Sequence, residues 1–446
     1  MNGSEDNALF GTDGIRGRRG SYPFDDASLL KLGRAIAQVL SGSRVLIGRD
    51  TRQSGPEIIE QLAAGIGRDA ELYLAGVIPT PGLSYLIRSG GFDFGIMISA
   101  SHNPFLDNGI KILDRHGEKI PNETEKQIEA RFSAIPAMVS RSFFLHPPPA
   151  AADASVYDDF LIRCGADLQT LPAKIVIDCA QGAAAAVAPR VFSRLGLTVV
   201  SMGDHPDGTN INAGCGSTTP AAIVREVAAS QADIGFAFDG DADRVIWVDR
   251  QGNVLDGDHT LFTLARFFAA SEPSFPRIVV GTILTNLGLE RSLQRLGIDC
   301  ERTAVGDRHV WQAMQRRGAM LGGEPSGHTI LRNWQPTGDG ILTALMILRA
   351  LGHSGMEASD IRRALPLFPQ KTIDLRIRGK KPLAEWEALN RLINDFDRRH
   401  GRHSRLVIRY SGTEAKIRLL FEAEDQAIID ANLQPFVDLI ASEIGE

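Results

Sequence analysis

Three stretches of the chain share one plan: a basic residue, a short run of Val, Ile and Leu, then a turn and a helical pattern. They are Arg44-Val45-Leu46-Ile47-Gly48, Lys174-Ile175-Val176-Ile177-Asp178 and Arg277-Ile278-Val279-Val280-Gly281. Runs that are apolar at every position, rather than at alternate ones, suit strands buried on both faces, as in a parallel sheet covered by helices. Each unit also carries a later apolar run that ends in a polar loop. Residues 94–98 lead into Ser99-Ala100-Ser101-His102-Asn103-Pro104. Residues 233–238 lead into Asp239-Gly240-Asp241-Ala242-Asp243-Arg244, and 318–321 into Gly323-Glu324-Pro325-Ser326-Gly327-His328. In open α/β sheets ligands gather beyond the carboxyl ends of the strands, so each repeated unit is expected to supply one functional loop.

After residue 366 the pattern changes. Strands are expected over 372–377, 406–409 and 417–421, with helices over 382–400 and 425–444, a smaller α+β arrangement. A proline-rich stretch, Pro147-Pro148-Pro149, marks a first boundary because it suits neither a helix nor a central strand. The fold expected is therefore three similar mixed-sheet α/β domains with helices on both faces, plus a smaller C-terminal α+β domain. The expected divisions are 1–150, 151–254, 255–367 and 368–446. An early helix is expected over 26–40.

At 446 residues the chain is too long for one core, which agrees with several domains. The net charge of -6 and 23% charged residues give no bulk attraction to nucleic acid or anionic membrane, so neither is expected as a partner. The polar, acidic start argues against a secretory signal, and no apolar run approaches the length of a membrane span, so a cytoplasmic protein is expected. Cys164, Cys179, Cys215 and Cys300 are widely spaced, which indicates neither a zinc site nor a disulfide framework.

The loops carry the chemistry. Ser101 stands where an apolar strand runs into a tight turn, which exposes and fixes its hydroxyl. Asp239, Asp241 and Asp243 alternate, so an extended backbone would project all three carboxylates to one side, and a hard divalent cation would relieve their repulsion. An EF-hand is disfavoured, since Arg244 and Arg250 occupy the places that need Gly and Glu. Glu324, Ser326 and His328 alternate in a glycine-bounded loop that suits sugar hydroxyls. Arg409, Ser411, Gly412, Thr413 and Arg418 offer guanidinium groups, hydroxyls and open backbone N–H groups, the composition of a phosphate cradle. Arg16, between Gly14 and Gly17, is a further candidate phosphate contact. A nucleophilic serine, a carboxylate metal site, a polyol loop and a phosphate clamp together point to phosphoryl transfer on a phosphorylated sugar.

In their order, segments 10–17, 99–111, 210–218, 238–244, 305–308, 322–328 and 411–414 resemble the motifs of the α-D-phosphohexomutases, nearest the bacterial phosphoglucosamine mutase branch. The resemblance runs nearly end to end. It implies a phosphorylated Ser101, one Mg²⁺ held by Asp239, Asp241, Asp243 and the Ser101 phosphate, and a sugar 1,6-bisphosphate that serves as intermediate and activator. The reaction implied is the interconversion of glucosamine 6-phosphate and glucosamine 1-phosphate, towards cell-wall precursors. The small phosphosugar is the expected partner, and a homodimer is left open. Expected catalytic residues are Ser101, His102, Lys111, Arg244 and His328, with Lys111 or His328 accepting the hydroxyl proton. Expected substrate contacts are Arg16, Gly306, Asp307, Glu324, Ser326, Arg409, Ser411, Gly412, Thr413 and Arg418. Pro325, His309, Tyr410 and Ala415 depart from the residues usual in that branch. Glucose or mannose phosphates are the alternative substrates, and a sugar phosphatase or a non-catalytic sensor are the alternative classes.

Overall fold

The computed structural model of the chain describes residues 9–11, 13–136, 150–170, 173–411 and 415–446. The proline-rich stretch over 147–149 and the residues Gly412 and Thr413 lie outside them.

Three mixed sheets repeat one arrangement. The first has six strands, ordered Ile15–Arg18, Asp107–Asp114, Phe94–Ile98, Arg44–Arg49, Glu71–Val77 and Ala150–Ala151. The second has five, ordered Val254–Leu255, Val245–Asp249, Ile234–Phe238, Lys174–Asp178 and Thr198–Met202. The third has four, ordered Asp299–Thr303, Ile278–Thr282, Leu321–Gly323 and Thr329–Leu331. In each, the run recognised in the sequence is an interior strand and pairs in parallel with both neighbours. One of those neighbours turns back into an antiparallel strand. The loop at that reversal holds Ser101 in the first unit, the three aspartates in the second and Glu324 to His328 in the third.

Burial follows the apolar runs. In the first unit Val45 and Ile47 face the helices Asp26–Val39 and Gly55–Ile66, while Leu46 faces Thr80–Gly90. Helices therefore cover both faces, and every residue in Val45 to Gly48 is buried. The second and third sheets share one continuous core, in which Phe236, Trp247, Val279 and Leu321 meet the helices Gly257–Ser271 and Gly340–Ser354. A shared core ties the aspartate loop and the Glu324 loop to one rigid support.

The C-terminal unit is an antiparallel sheet of Gln370–Arg376, Lys416–Ala423 and Ser404–Tyr410 packed on the helices Glu387–His400 and Gln426–Ile444. It meets the third unit through buried Glu422, which accepts from Leu287 N–H at 2.8 Å and from Arg405 Nη2 at 2.6 Å, while Arg405 also donates to the carbonyls of Ile283 and Thr285.

Two expected elements need correction. The apolar run at 318–321 does not start as a strand: Gly318, at φ 69°, ends the helix Asp307–Arg317, and the strand is Leu321–Gly323. The helix expected over 382–400 begins at Glu387, after a short 3₁₀ turn at Leu383–Glu385, with the Trp386 ring fully buried between the two.

Candidate active site

Ser101 sits on the turn after Phe94–Ile98 with φ 51°, a left-handed conformation rare for a residue with a side chain. Its hydroxyl is buried rather than exposed as the turn suggests, because the aspartate loop of the second unit meets it. Its N–H donates to Ser99 Oγ at 3.0 Å, and its own Oγ donates to Asp239 Oδ2 at 2.6 Å. His102 Nδ1 lies 3.3 Å from that same Oγ. Burial, and then the charge of Arg244, hold the His102 imidazole below its ordinary pKa.

Asp239, Asp241 and Asp243 converge, each offering a carboxylate oxygen within 4.8 Å of the others'. The convergence does not come from an extended backbone, as the alternation suggests. Residues 240–243 form a turn with Ala242 at φ 56°, and the turn, rather than the pleat, gathers the carboxylates. Gly240 permits its close approach, since a Cβ there would lie 2.5 Å from the Ser101 carbonyl oxygen. Burial, then the charges of Asp243 and Asp241, push the Asp239 carboxyl well above the usual range. Asp241 Oδ1 and Asp243 Oδ1 are buried without a hydrogen bond. A cluster of hard oxygen donors with unused lone pairs fits a divalent cation.

Basic groups surround the cluster. Lys111 Nζ is 3.0 Å from Asp241 Oδ2, 3.5 Å from Asp243 Oδ2 and 3.7 Å from Asp13 Oδ1. Burial works against its charge, yet Asp13, Asp241 and Asp243 outweigh it and raise the ammonium above its ordinary range. Arg244 donates its N–H to Asp239 Oδ1 at 3.2 Å, and its Nε lies 3.7 Å from Asp243 Oδ1. His328 is buried, with Nε2 accepting from Gly338 N–H at 3.1 Å and Nδ1 3.7 Å from Asp243 Oδ2.

The loop expected to meet a sugar joins the aspartate loop, with Val245 N–H donating to Gly327 O at 3.2 Å. Gly306 N–H donates to Glu324 Oε1 at 2.8 Å, and Ser326 is exposed. Asp307 pairs with Lys119 at 2.8 Å, and Lys119 also reaches Asp13 Oδ1 at 2.9 Å. Arg16 donates to the Ser99 carbonyl at 3.1 Å and pairs with Asp13. A cavity of about 290 Å³ opens beside these groups, lined by Lys111, Lys119, Asp243, Asp307 and Arg308 among others.

The described partners of the expected clamp lie in the C-terminal unit. Arg409 faces Arg418 across the sheet, Arg418 Nε is 3.4 Å from Asp374 Oδ2, and Ser411 N–H donates to Lys416 O. The structure thus gathers Ser101, His102, Lys111, the three aspartates, Arg244 and His328 into one centre, with Arg16, Gly306, Asp307 and Glu324 beside it.

Sequence reasoning passes over three residues of this centre: Asp13, Thr80 and Lys119. Thr80 Oγ1 donates to Asp241 Oδ2 at 2.6 Å. Asp13 lies in the glycine-rich segment already singled out around Arg16, which is a usable signal. Thr80, in Pro79-Thr80-Pro81, reads only as a helix start.

Four domain models of phosphoglucomutase/phosphomannomutase match in order: the α/β/α domains I, II and III at 7–138, 157–252 and 256–368, and the C-terminal domain at 373–438. A phosphoglucosamine mutase of Deinococcus deserti is 42% identical over 94% of this chain and 95% of its own. The chain belongs to the phosphoglucomutase/phosphomannomutase family. Solved structures of this family share the fold. A Burkholderia thailandensis family member superposes with TM-score 0.80 at 23% identity, covering 98% of this chain and 99% of that one. An Aspergillus fumigatus N-acetylphosphoglucosamine mutase, in complex with GlcNAc-6P and magnesium, gives 0.69 at 16% identity, covering 97% and 95%.

Pro325, read in the sequence as a departure from the branch it resembles, has a local physical account. Gly327 N–H donates to Glu324 O at 3.0 Å, so Pro325 is the second residue of a turn, where proline's fixed φ is favoured. The Pro325 carbonyl still accepts from Gly257 N–H at 3.0 Å. Proline therefore stiffens the loop that presents Glu324.

Proposed function

We propose that this chain interconverts glucosamine 6-phosphate and glucosamine 1-phosphate through a phosphoryl group carried on Ser101 and a sugar 1,6-bisphosphate. The observation that carries the reading is a buried serine hydroxyl, held at a turn, bonded to one of three convergent carboxylates. The substrate follows the Deinococcus deserti relative, whose similarity spans nearly the full length of both chains.

Asp239, Asp241 and Asp243, with an oxygen of the Ser101 phosphate, would hold Mg²⁺, whose charge offsets that of the transferring group. In the forward half-reaction the bond from phosphorus to Ser101 Oγ breaks, a bond to the free sugar hydroxyl oxygen forms, and the proton that hydroxyl gives up ends on Ser101 Oγ. The second half-reaction returns the other phosphate of the bisphosphate to Ser101. Arg244 and Lys111 bring positive charge to the transferring group. Lys111 also lines the cavity and stays one of the two acceptors expected for the hydroxyl proton. His328, the other expected acceptor, is buried with Nδ1 3.7 Å from Asp243 Oδ2. His102, 3.3 Å from Ser101 Oγ, is placed to relay that proton to the departing serine oxygen. Glu324, Asp307 and Gly306 bind the sugar, Arg16 supports the serine loop, and Arg409, Ser411 and Arg418 hold the phosphate that is not reacting. Trace bisphosphate primes Ser101.

The test is kcat/KM for the 6-phosphates of glucosamine, glucose and mannose under identical bisphosphate priming. Glucosamine 6-phosphate is expected to lead, by a modest factor because one substituent decides. A lead for glucose or mannose phosphate would overturn the substrate assignment.

A further inference from the structure

The backbone of the serine loop is held from two directions. Arg52 is 1% exposed and spends its whole guanidinium there: Nε donates to Asp50 Oδ2 at 3.0 Å, Nη1 to Pro104 O at 2.8 Å, and Nη2 to Ser101 O at 3.0 Å and Asn103 O at 2.9 Å. Asn212, from the second unit, donates Nδ2 to the same two carbonyls, Ser101 O at 2.9 Å and Asn103 O at 3.0 Å. Asp50 closes the circuit by accepting from Ser99 Oγ at 2.7 Å, and that oxygen accepts the Ser101 N–H. Three of these bonds meet the Ser101 carbonyl or N–H, the others hold the loop around it, and none takes its hydroxyl, which bonds Asp239.

A left-handed residue with a Cβ is disfavoured in isolation and persists when its surroundings over-determine it. Here the Ser101 carbonyl has two donors, one from each of two domains. The domains are joined at the same seam by Thr51 Oγ1 to Gln181 O at 2.6 Å and Gln53 N–H to Gly208 O at 2.9 Å. We propose that Arg52 and Asn212 are positioning residues for phosphoryl transfer, a carbonyl clamp that fixes the left-handed turn and thereby aims the Ser101 oxygen at the aspartate cluster. The clamp makes the aim of the nucleophile a property of the docking between the first two domains. It rests on the reading of Ser101 as the phosphoryl carrier, because aim matters only to a group that reacts.

Asn212→Gly tests it, because Asn212 itself stands at φ 60°, a conformation glycine adopts freely, so the variant removes the carboxamide with little backbone penalty. Arg52→Lys is the second variant; it keeps the charge beside Asp50 but cannot reach three carbonyls. Full-length protein phosphorylated on Ser101 is mixed with glucosamine 6-phosphate in a quench-flow instrument, and the amplitude and rate constant of phosphoryl loss from the serine are read. The clamp predicts a rate constant lower by about tenfold or more at full amplitude, with KM within about twofold. It also predicts that the double variant loses less than the product of the single losses, since both residues hold the same carbonyls. An unchanged rate constant in Asn212→Gly, or a reduced amplitude at the normal rate constant, would overturn the clamp while leaving Ser101 as carrier. Absence of any transfer from Ser101 in the unsubstituted protein would instead overturn the proposed function.

Discussion

Asp339 offers a pH prediction with a magnitude. Its carboxylate caps the helix Gly340–Ser354, accepting from Leu342 N–H at 2.9 Å, from Tyr157 Oη at 2.9 and 3.0 Å, and from Gln335 Nε2 at 3.3 Å. Gln335 Nε2 also donates to Pro81 O, beside the Thr80 that bonds Asp241, so the cluster braces all three α/β units. Burial pushes the Asp339 carboxyl from 3.8 up to about 6, against the pull of its donors. A carboxyl that holds its proton more tightly when folded gives stability that is complete below its unfolded pKa and is lost as pH rises through the folded one. A rise from 3.8 to about 6 corresponds to roughly 3 kcal/mol. About 2 kcal/mol of that falls between about pH 4.5 and 7.5. Asp339→Asn keeps an acceptor for Leu342 and Tyr157 but cannot titrate. Urea unfolding of both proteins across that window, in chelator, should show the cost of the substitution shrinking by about 2 kcal/mol as pH rises. Parallel stability profiles would refute the reasoning.

Ser101→Ala should lower turnover by at least about a thousandfold, roughly 4 kcal/mol of barrier, while retaining sugar-phosphate binding; near-normal turnover would remove the covalent route. Asp241→Asn should weaken Mg²⁺ binding, read by calorimetry, together with activity, since one charge of three is lost; full activity in excess EDTA would contradict the metal assignment. Arg409→Lys keeps the charge but loses the fork, so KM for the sugar phosphate should rise by a factor equivalent to about 1–3 kcal/mol, and unchanged kinetics would remove Arg409 from the phosphate site.

The repeated strand-and-loop plan was legible because it is local: an apolar run and the polar turn that follows it are neighbours in sequence. Each of the three interior strands carries its signal in four or five residues. The aspartate trio was legible as a cluster but for an incomplete reason, since periodicity says nothing of the left-handed Ala242 that turns the loop. Thr80 and Lys119 were hidden by distance along the chain, while Asp13 stood in a segment already singled out. Thr80 lies 161 residues from Asp241 and Lys119 lies 188 from Asp307, so those bonds exist only once domains dock, while the bond from Lys119 to Asp13, 106 residues away, exists only once the first domain folds. Arg52 was hidden differently: within its segment it is one basic residue in a polar turn, and only the fold shows that it is buried against the serine loop. Pro325 shows the reverse case, in which a residue that reads only as a departure in sequence is a favoured turn former in place.

The central claim is that a phosphoryl group passes between Ser101 and both ends of a glucosamine phosphate. Its most direct test is to load Ser101 with ³²P, mix the protein with unlabelled glucosamine 6-phosphate, and separate the products. The account predicts label first in the bisphosphate and then in both the 1- and 6-phosphates. Label released as inorganic phosphate, or retained on the protein, would contradict it.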